Sequence, residues 1–235
     1  RLPRTAFPSA APLPQGVTVV IPSRNGKDLL ERMLPAVLAD LAEFASEVII
    51  VDNGSTDGTA AWLSAAHPGI QVDVHRDPLS FAAAVNRGID KARYSHVCLL
   101  NNDMEIQPGF FAALLEPFSQ VPDLFCSTAQ IFFPEGKRRE ETGKAVLSCG
   151  GMPQDFQVRC ETPLPGEDLT YVTYGSGGCS LYDALKLRAI GRFGEVFQPA
   201  YVEDLDAGWR GWSRGWPTVF AAAAQVLHHH RATTS

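Results

Sequence analysis

The sequence predicts an α/β fold: a mostly parallel central sheet with helices on both faces, followed by a smaller subregion. Two observations predict it. Between residues 17 and 107, short β-branched runs alternate with stretches of helical apolar spacing, the pattern of repeated strand–helix–strand units. Most of the strand runs are apolar throughout instead of alternating, as strands covered on both faces must be. A third observation sets the scale. With 235 residues, 45% of them hydrophobic and only 20% charged, the chain has material for a full core and too little charge for a disordered segment.

Residues 1–16 carry Pro3, Pro8, Pro12 and Pro14 and read as an extended arm or linker. Val17–Ile21 is the first buried strand, closed by the turn Pro22-Ser-Arg-Asn-Gly26. Asp28 to Leu41 repeats apolar residues at helical spacing, with Pro35 expected to kink or break it. Glu47–Val51 is a second strand, followed by Asp52-Asn-Gly-Ser-Thr-Asp-Gly-Thr59 and a helix to Ala66. Ile70–Val74 alternates and reads as half exposed. Phe81–Ala92 is helical, and His96–Leu100 is a fourth strand running into Asn101-Asn102-Asp103. After Pro108 come a helix over 109–119, a long strand over Leu124–Phe133 and irregular chain over 134–170. Then follow a strand over Tyr171–Tyr174, the Gly175–Gly178 loop and a helix over Leu181–Ile190. A helix from Glu203 to about Arg214 and two short strands, Pro217–Phe220 and Ala224–Leu227, end at His228-His229-His230. The whole is one domain over 17–231, with halves at 17–107 and 108–231.

Composition excludes several classes. No apolar run approaches the roughly 18 residues of a membrane span. The net charge is −6, with no stripe of basic residues, which argues against a nucleic-acid partner. Five widely spaced cysteines without a CxxC pair point to a reducing compartment, not to a disulfide scaffold or structural zinc. The expected location is the cytoplasm, with any attachment to the inner face of a membrane supplied by parts outside this chain. Gly175-Ser-Gly-Gly-Cys-Ser180 lacks the last glycine of a dinucleotide fingerprint, and Walker, HExxH and GxSxG motifs are absent.

In open parallel sheets, ligands bind beyond the carboxyl ends of the strands. Here those ends are Pro22-Ser23-Arg24-Asn25, Asp52-Asn53 and Asn101-Asn102-Asp103, all polar. Asp52 suits a nucleoside hydroxyl or base N–H, and equally a turn cap. Asp103 is a hard oxygen ligand for a divalent cation on a diphosphate. Glu203, Asp204 and Asp206 open a helix, where acids also offset the helix dipole. Among the histidines, His228 follows an apolar strand and is the ligand candidate, with His229 and His230 read as surface residues. Trp209, Trp212 and Trp216 divide between sugar stacking and core packing.

These stretches carry a resemblance. Val17–Asn25, Val51–Thr59, Phe81–Gly88, Leu99–Asp103, Gly175–Gly178, Gly191–Phe197, Glu203–Arg210 and the His228 segment resemble, in order and spacing, the successive motifs of family 2 glycosyltransferases, above all the rhamnosyltransferase-like branch. The resemblance covers about Val17 to Arg231. It implies a GT-A fold with a Rossmann-like sheet, and an inverting transferase moving a sugar from a nucleotide-diphosphate donor, UDP- or dTDP-linked. The acceptor would be a hydroxyl of a glycan or lipid-linked glycan in polysaccharide or cell-wall synthesis, with Mg²⁺ or Mn²⁺ assisting. Carried over by residue, Pro22, Ser23, Arg24, Asn25 and Asp52 would hold the nucleoside. Asn86, Asn101 and Asn102 would lie at the donor. Asp103 and His228 would bind the metal and Asp204 would be the general base. Gly177, Gly178, Glu203 and Trp209 would face the acceptor.

Two departures stand out. Asn101 replaces the first carboxylate of the family's DxD, and Ser80 stands where relatives carry glycine or a basic residue. The Asn101 replacement motivates a rival reading, a non-catalytic domain that binds nucleotide sugar or glycan. A nucleotidyltransferase is a more distant rival, since Arg24-Asn-Gly-Lys27 is a thin version of a triphosphate loop. Asp204-Leu-Asp206 ranks second as a metal site.

Overall fold

Alternation within β1 (Val17–Ser23) sorts its side chains between two cores: Val17, Val19 and Ile21 join one apolar cluster and Val20 the other. The computed structural model describes residues 11–134, 139–140, 145–147, 153–155, 169–198 and 201–229. In chain order the remaining elements are α1 (Lys27–Asp40), β2 (Ser46–Asn53), α2 (Thr59–Ala66), β3 (Gln71–His75), α3 (Phe81–Lys91), β4 (His96–Leu100), β5 (Met104–Ile106) and α4 (Phe110–Gln120). Then come β6 (Cys126–Phe132), β7 (Arg139–Glu140), β8 (Ala145–Leu147), β9 (Pro153–Asp155), β10 (Leu169–Val172), β11 (Cys179–Asp183), α5 (Ala184–Ala189), α6 (Glu203–Trp212) and β12 (Thr218–His228).

The described strands form a ten-stranded sheet of order β10-β12-β6-β11-β4-β1-β2-β3, with β5 paired to β12 and β7 to β6; β8 and β9 pair separately. β1 runs parallel to β2 and β4, and β2 parallel to β3. β11 is antiparallel to both β4 and β6, so β6 points the same way as β4, and β12 is parallel to β6. β5, β7, β10 and β11 therefore oppose the common direction, which leaves the sheet mostly parallel, as expected. One face is covered by α1, α2 and α4 through Leu30, Leu34, Leu63, Phe110 and Leu114. The other is covered by α3, α5 and α6 through Val85, Ile89, Leu187 and Ala207.

Several expectations need correction. Leu181–Ile190 is not one helix: Cys179–Asp183 is a strand, and Asp183 caps a short helix by accepting from Lys186 N at 2.9 Å. α1 runs unbroken through Pro35, which lies on its exposed face, where water can satisfy the carbonyl freed by the missing N–H. The two C-terminal strands are one, β12, whose pairing with β6 jumps between Ala221 and Gln225 at a bulge. Most of 134–170, the arm's first ten residues and His230 lie outside the described residues. The rest of the arm docks: Leu13 packs on the second core, and Pro14 O accepts from Ser95 N.

Candidate functional site

At the carboxyl edge of the sheet, the loops after β1 and β2 are laced together. Asn25, at φ 49, donates from its N–H to Ser55 Oγ and accepts from Thr56 N through Oδ1 (2.8 Å). Lys27 N donates to Asp57 Oδ2. Although desolvation opposes it, the Thr59 hydroxyl and the Lys27 and Thr59 amides hold the Asp57 carboxyl below its usual range. Ser23 is the register partner of Asp52, and its hydroxyl accepts from Asn102 Nδ2 at 2.9 Å. Three of the predicted donor-side loops therefore meet at one edge. Asp52 is buried and uses Oδ1 to accept from Ser55 N, so the turn-cap reading describes one of its two oxygens. Pro22 is half-buried and Arg24 exposed.

Asp103 and His228 come together across β5 and β12. The register pairs His228 with Met104, and His229 N donates to Asp103 O. This places His228 Nε2 3.4 Å from Asp103 Oδ2. Asp103 is buried, and its Oδ1 meets no hydrogen-bond partner among the described residues. A buried carboxylate oxygen without a donor is costly unless a cation or ligand joins it. The pair fits a divalent ion: a hard oxygen and an imidazole nitrogen side by side, with one oxygen unspent. Among the described residues no third His, Cys, Asp or Glu completes a cage around the pair.

At the start of α6, Gly177 N donates to Asp204 Oδ2 at 3.2 Å, and Asp204 Oδ1 accepts from Leu205 N. A Cβ on Gly177 would lie 3.3 Å from the Phe81 ring, and one on Gly178 would meet Asn101 Nδ2 at 2.6 Å. Asn101 N in turn donates to Gly178 O. The loop thus spans from Asp204 to the segment holding Asp103, and side chains are absent where space is short. Glu203 is buried, with Oε2 unpartnered among the described residues; burial pushes its carboxyl up, and the charge of Asp204 adds to the effect.

Some expected ligands do other work. Asn86 is buried with both ends of its amide engaged: Nδ2 donates to Phe193 O and Glu195 Oε1, and Oδ1 accepts from Phe193 N. It fastens α3 to the Gly191–Phe197 turn. Asp206, the second-ranked metal carboxylate, is paired to Arg210, which also donates to Ile190 O and Arg192 O. Ser80 caps α3 by accepting from Ala83 N. Trp212 donates to Val172 O and Trp216 is buried, leaving Trp209 as the exposed tryptophan of the three. Asn53, one of the polar strand-end residues, pairs its amide with both backbone groups of Leu79, the local bonding that such turn residues offer after a strand.

Comparisons with known proteins agree with this architecture. The Glycosyl transferase family 2 model matches residues 18–190. The N-acetylglucosaminyl-diphospho-decaprenol L-rhamnosyltransferase of Mycobacterium tuberculosis is 30% identical over 228 residues, covering 87% of this chain and 73% of that protein. In fold, the chain is similar to GalNAc-T7, solved with UDP, GalNAc and Mn²⁺ (TM-score 0.72, 14% identity, 92% of this chain and 44% of that one). It is also similar to the mannosyltransferase PcManGT of Pyrobaculum calidifontis, solved with GDP-Man and Mn²⁺ (TM-score 0.66, 14% identity, 98% of this chain and 62% of that one). The chain belongs to glycosyl transferase family 2: a glycosyltransferase of GT-A fold, rhamnosyltransferase-like in sequence.

Proposed function

We propose that this chain is an inverting, metal-assisted transferase that moves a deoxyhexose from a nucleotide-diphosphate sugar to a hydroxyl of a lipid-linked glycan in cell-wall or polysaccharide assembly. The observation that carries it is the buried, unspent Oδ1 of Asp103 beside His228 Nε2, on the same sheet edge as Asp204. Asp103 and His228 are the residues to hold a divalent cation, which when bound would supply Lewis-acid stabilisation of the diphosphate leaving group. Ser23, Asn25 and the Oδ2 of Asp52 would orient the nucleoside, and Asn102 would keep Ser23 in place. Asp204 would take the proton of the acceptor hydroxyl as its oxygen attacks the anomeric carbon. The bond to the diphosphate oxygen breaks on the opposite side, so one displacement inverts the anomeric centre. A base in this role contributes roughly 10²–10⁴-fold in rate. Trp209, exposed on α6 three residues after Asp206, would stack on the acceptor. The lipid-linked acceptor and the deoxyhexose are suggested by the mycobacterial relative. No helix of the described residues is long and apolar enough to cross a membrane.

The test is a thermal-shift titration with UDP and dTDP, each with and without Mn²⁺, since a ligand selective for the native state raises Tm. A nucleotide-dependent rise that needs Mn²⁺ and vanishes in Asp103→Ala supports the reading; no shift with either nucleotide overturns it. Asp204→Asn is expected to keep that shift and lose transfer. Asn101 in place of a carboxylate favours the second reading, a binding domain without turnover; donor hydrolysis or transfer with Mn²⁺ rejects it.

A further inference from the structure

We propose that Thr128 and Ser180 are positioning residues for proton transfer: their buried hydroxyls lock the Gly175–Gly178 loop so that the Gly177 N–H holds the Asp204 carboxylate in line. The inference rests on the reading of Asp204 as the base.

Thr128 and Ser180 are register partners in the centre of the sheet, on β6 and β11, and both are fully buried. Hydroxyls at such a pair are costly unless bonded, and valine or alanine would fill the same space without that cost. What they bind is the loop. Ser176 N donates to Thr128 Oγ1 at 3.1 Å, the two hydroxyl oxygens lie 2.8 Å apart, and Ser180 Oγ lies 2.8 Å from Ser176 O. Each hydroxyl has one proton, and one arrangement satisfies all three contacts. Thr128 donates to Ser180, Ser180 donates to Ser176 O, and Ser176 N–H closes the ring on Thr128. Both backbone groups of Ser176 are then held from below.

The ring fixes its surroundings. Ser176 O also accepts from Cys179 N, and Gly178 N donates to Ser176 Oγ at 3.3 Å. Gly175 is pressed onto the ring so closely that a Cβ there would lie 2.7 Å from Ser180 Oγ. Gly177 is therefore held on both sides, and its N–H meets Asp204 Oδ2 at 3.2 Å. Through Gly178 O and Asn101 N the same loop abuts the segment of Asp103. Thr128 and Ser180 touch no substrate on this account; they act through Gly177.

The experiment compares Thr128→Val, Ser180→Ala and the conservative Thr128→Ser with the parent. Substrates are dTDP-rhamnose and an N-acetylglucosaminyl-diphospho-polyprenol, with active sites counted by dTDP binding in Mn²⁺. The expected result is a fall in kcat of roughly 10- to 100-fold for Thr128→Val and Ser180→Ala, the scale of a sub-ångström to 1 Å misplacement of the base. KM for the donor stays at the parent value, and Thr128→Ser recovers kcat. Parent-like kcat in either of the first two variants overturns the proposal. So does a joint change of kcat and donor KM that Thr128→Ser does not repair, which marks a merely structural role. If Thr128→Val does not fold, Ser180→Ala decides by the same criteria. Asp204→Asn separates the two levels: its retained activity defeats the base assignment itself, whereas its loss alongside a parent-like Thr128→Val defeats only the positioning ring.

Discussion

Gly208→Ala puts the placement of Asp204, the proposed base, at risk without touching it. Gly208 is buried in α6, four residues after Asp204 and so on the same helix face. A methyl group there would lie 2.5 Å from Thr173 O, 2.5 Å from Tyr174 Cβ and 2.7 Å from Tyr174 Cα. Two of these atoms are backbone and none is the end of a flexible side chain. Carbon contacts are optimal near 3.5–4.0 Å, so relief at Tyr174 Cβ alone requires α6 to retreat by about 1 Å. That exceeds what the 3.2 Å Gly177–Asp204 bond can absorb. Helix propensity alone favours alanine by about 1 kcal/mol. Overpacking opposes it at roughly 1–3 kcal/mol. The expected outcome is a protein no more stable than the parent by urea denaturation, with kcat lower on the order of 100-fold and nucleotide binding retained, since the proposed nucleotide loops follow β1 and β2. Gly69→Ala, where a Cβ meets nothing within 4 Å, is the control and leaves both measurements unchanged. A Gly208→Ala protein that is more stable and fully active would refute the reasoning.

Asn86→Ala strips both backbone groups of Phe193 and the Glu195 carboxylate of their partner. Denaturant melts should show a loss of about 1–3 kcal/mol for the buried groups left unmet, and a parent-like midpoint would mean the turn finds other partners. Glu203→Gln tests the buried acid through pH. Burial raises the folded-state pKa of Glu203 above the unfolded value of 4.5, so the folded chain favours the protonated form. Its contribution is full below the ordinary glutamate range and is lost as pH rises through the folded value. Thermal melts should therefore show Gln gaining stability over the parent at pH 8 and not at pH 4; the reverse order would reject the assignment.

The first half was legible because its chemistry is local. Strands covered on both faces must be apolar throughout, so β1, β2 and β4 stand out, and the turn residues after them mark the ligand edge. Asp103 and His228 were legible as types, but their 3.4 Å approach depends on β12 pairing with β5, three residues long and without a periodicity of its own. Leu181–Ile190 misled because Leu181 and Tyr182 continue the apolar spacing of α5; Asp183, a cap in sequence terms as well, marks the true start. Asn86 drew its donor-side role from the family resemblance alone, and its partners 107 and 109 residues away make it a fastener of the turn, which no local pattern shows. Thr128 and Ser180 belong to no motif. A hydroxyl inside an apolar strand is the signal, and pairing across strands gives it meaning.

The reversal of one strand explains how a single edge would serve both substrates of the proposed transfer. In a wholly parallel sheet, only loops that follow strands reach the carboxyl edge. β11 runs against β4 and β6, so the loop that precedes it, Gly175–Gly178, arrives at that edge directly beside Asn101. β12 resumes the common direction and ends there, delivering His228 to Asp103. α6 begins there, delivering Asp204 to Gly177. A strand start, a strand end and a helix start thus converge where the proposed donor loops already lie. The buried hydroxyls that tie β11 to β6 sit at the root of this reversal, so a change at Thr128 or Ser180 bears on the geometry of transfer before it bears on the donor loops of β1 and β2.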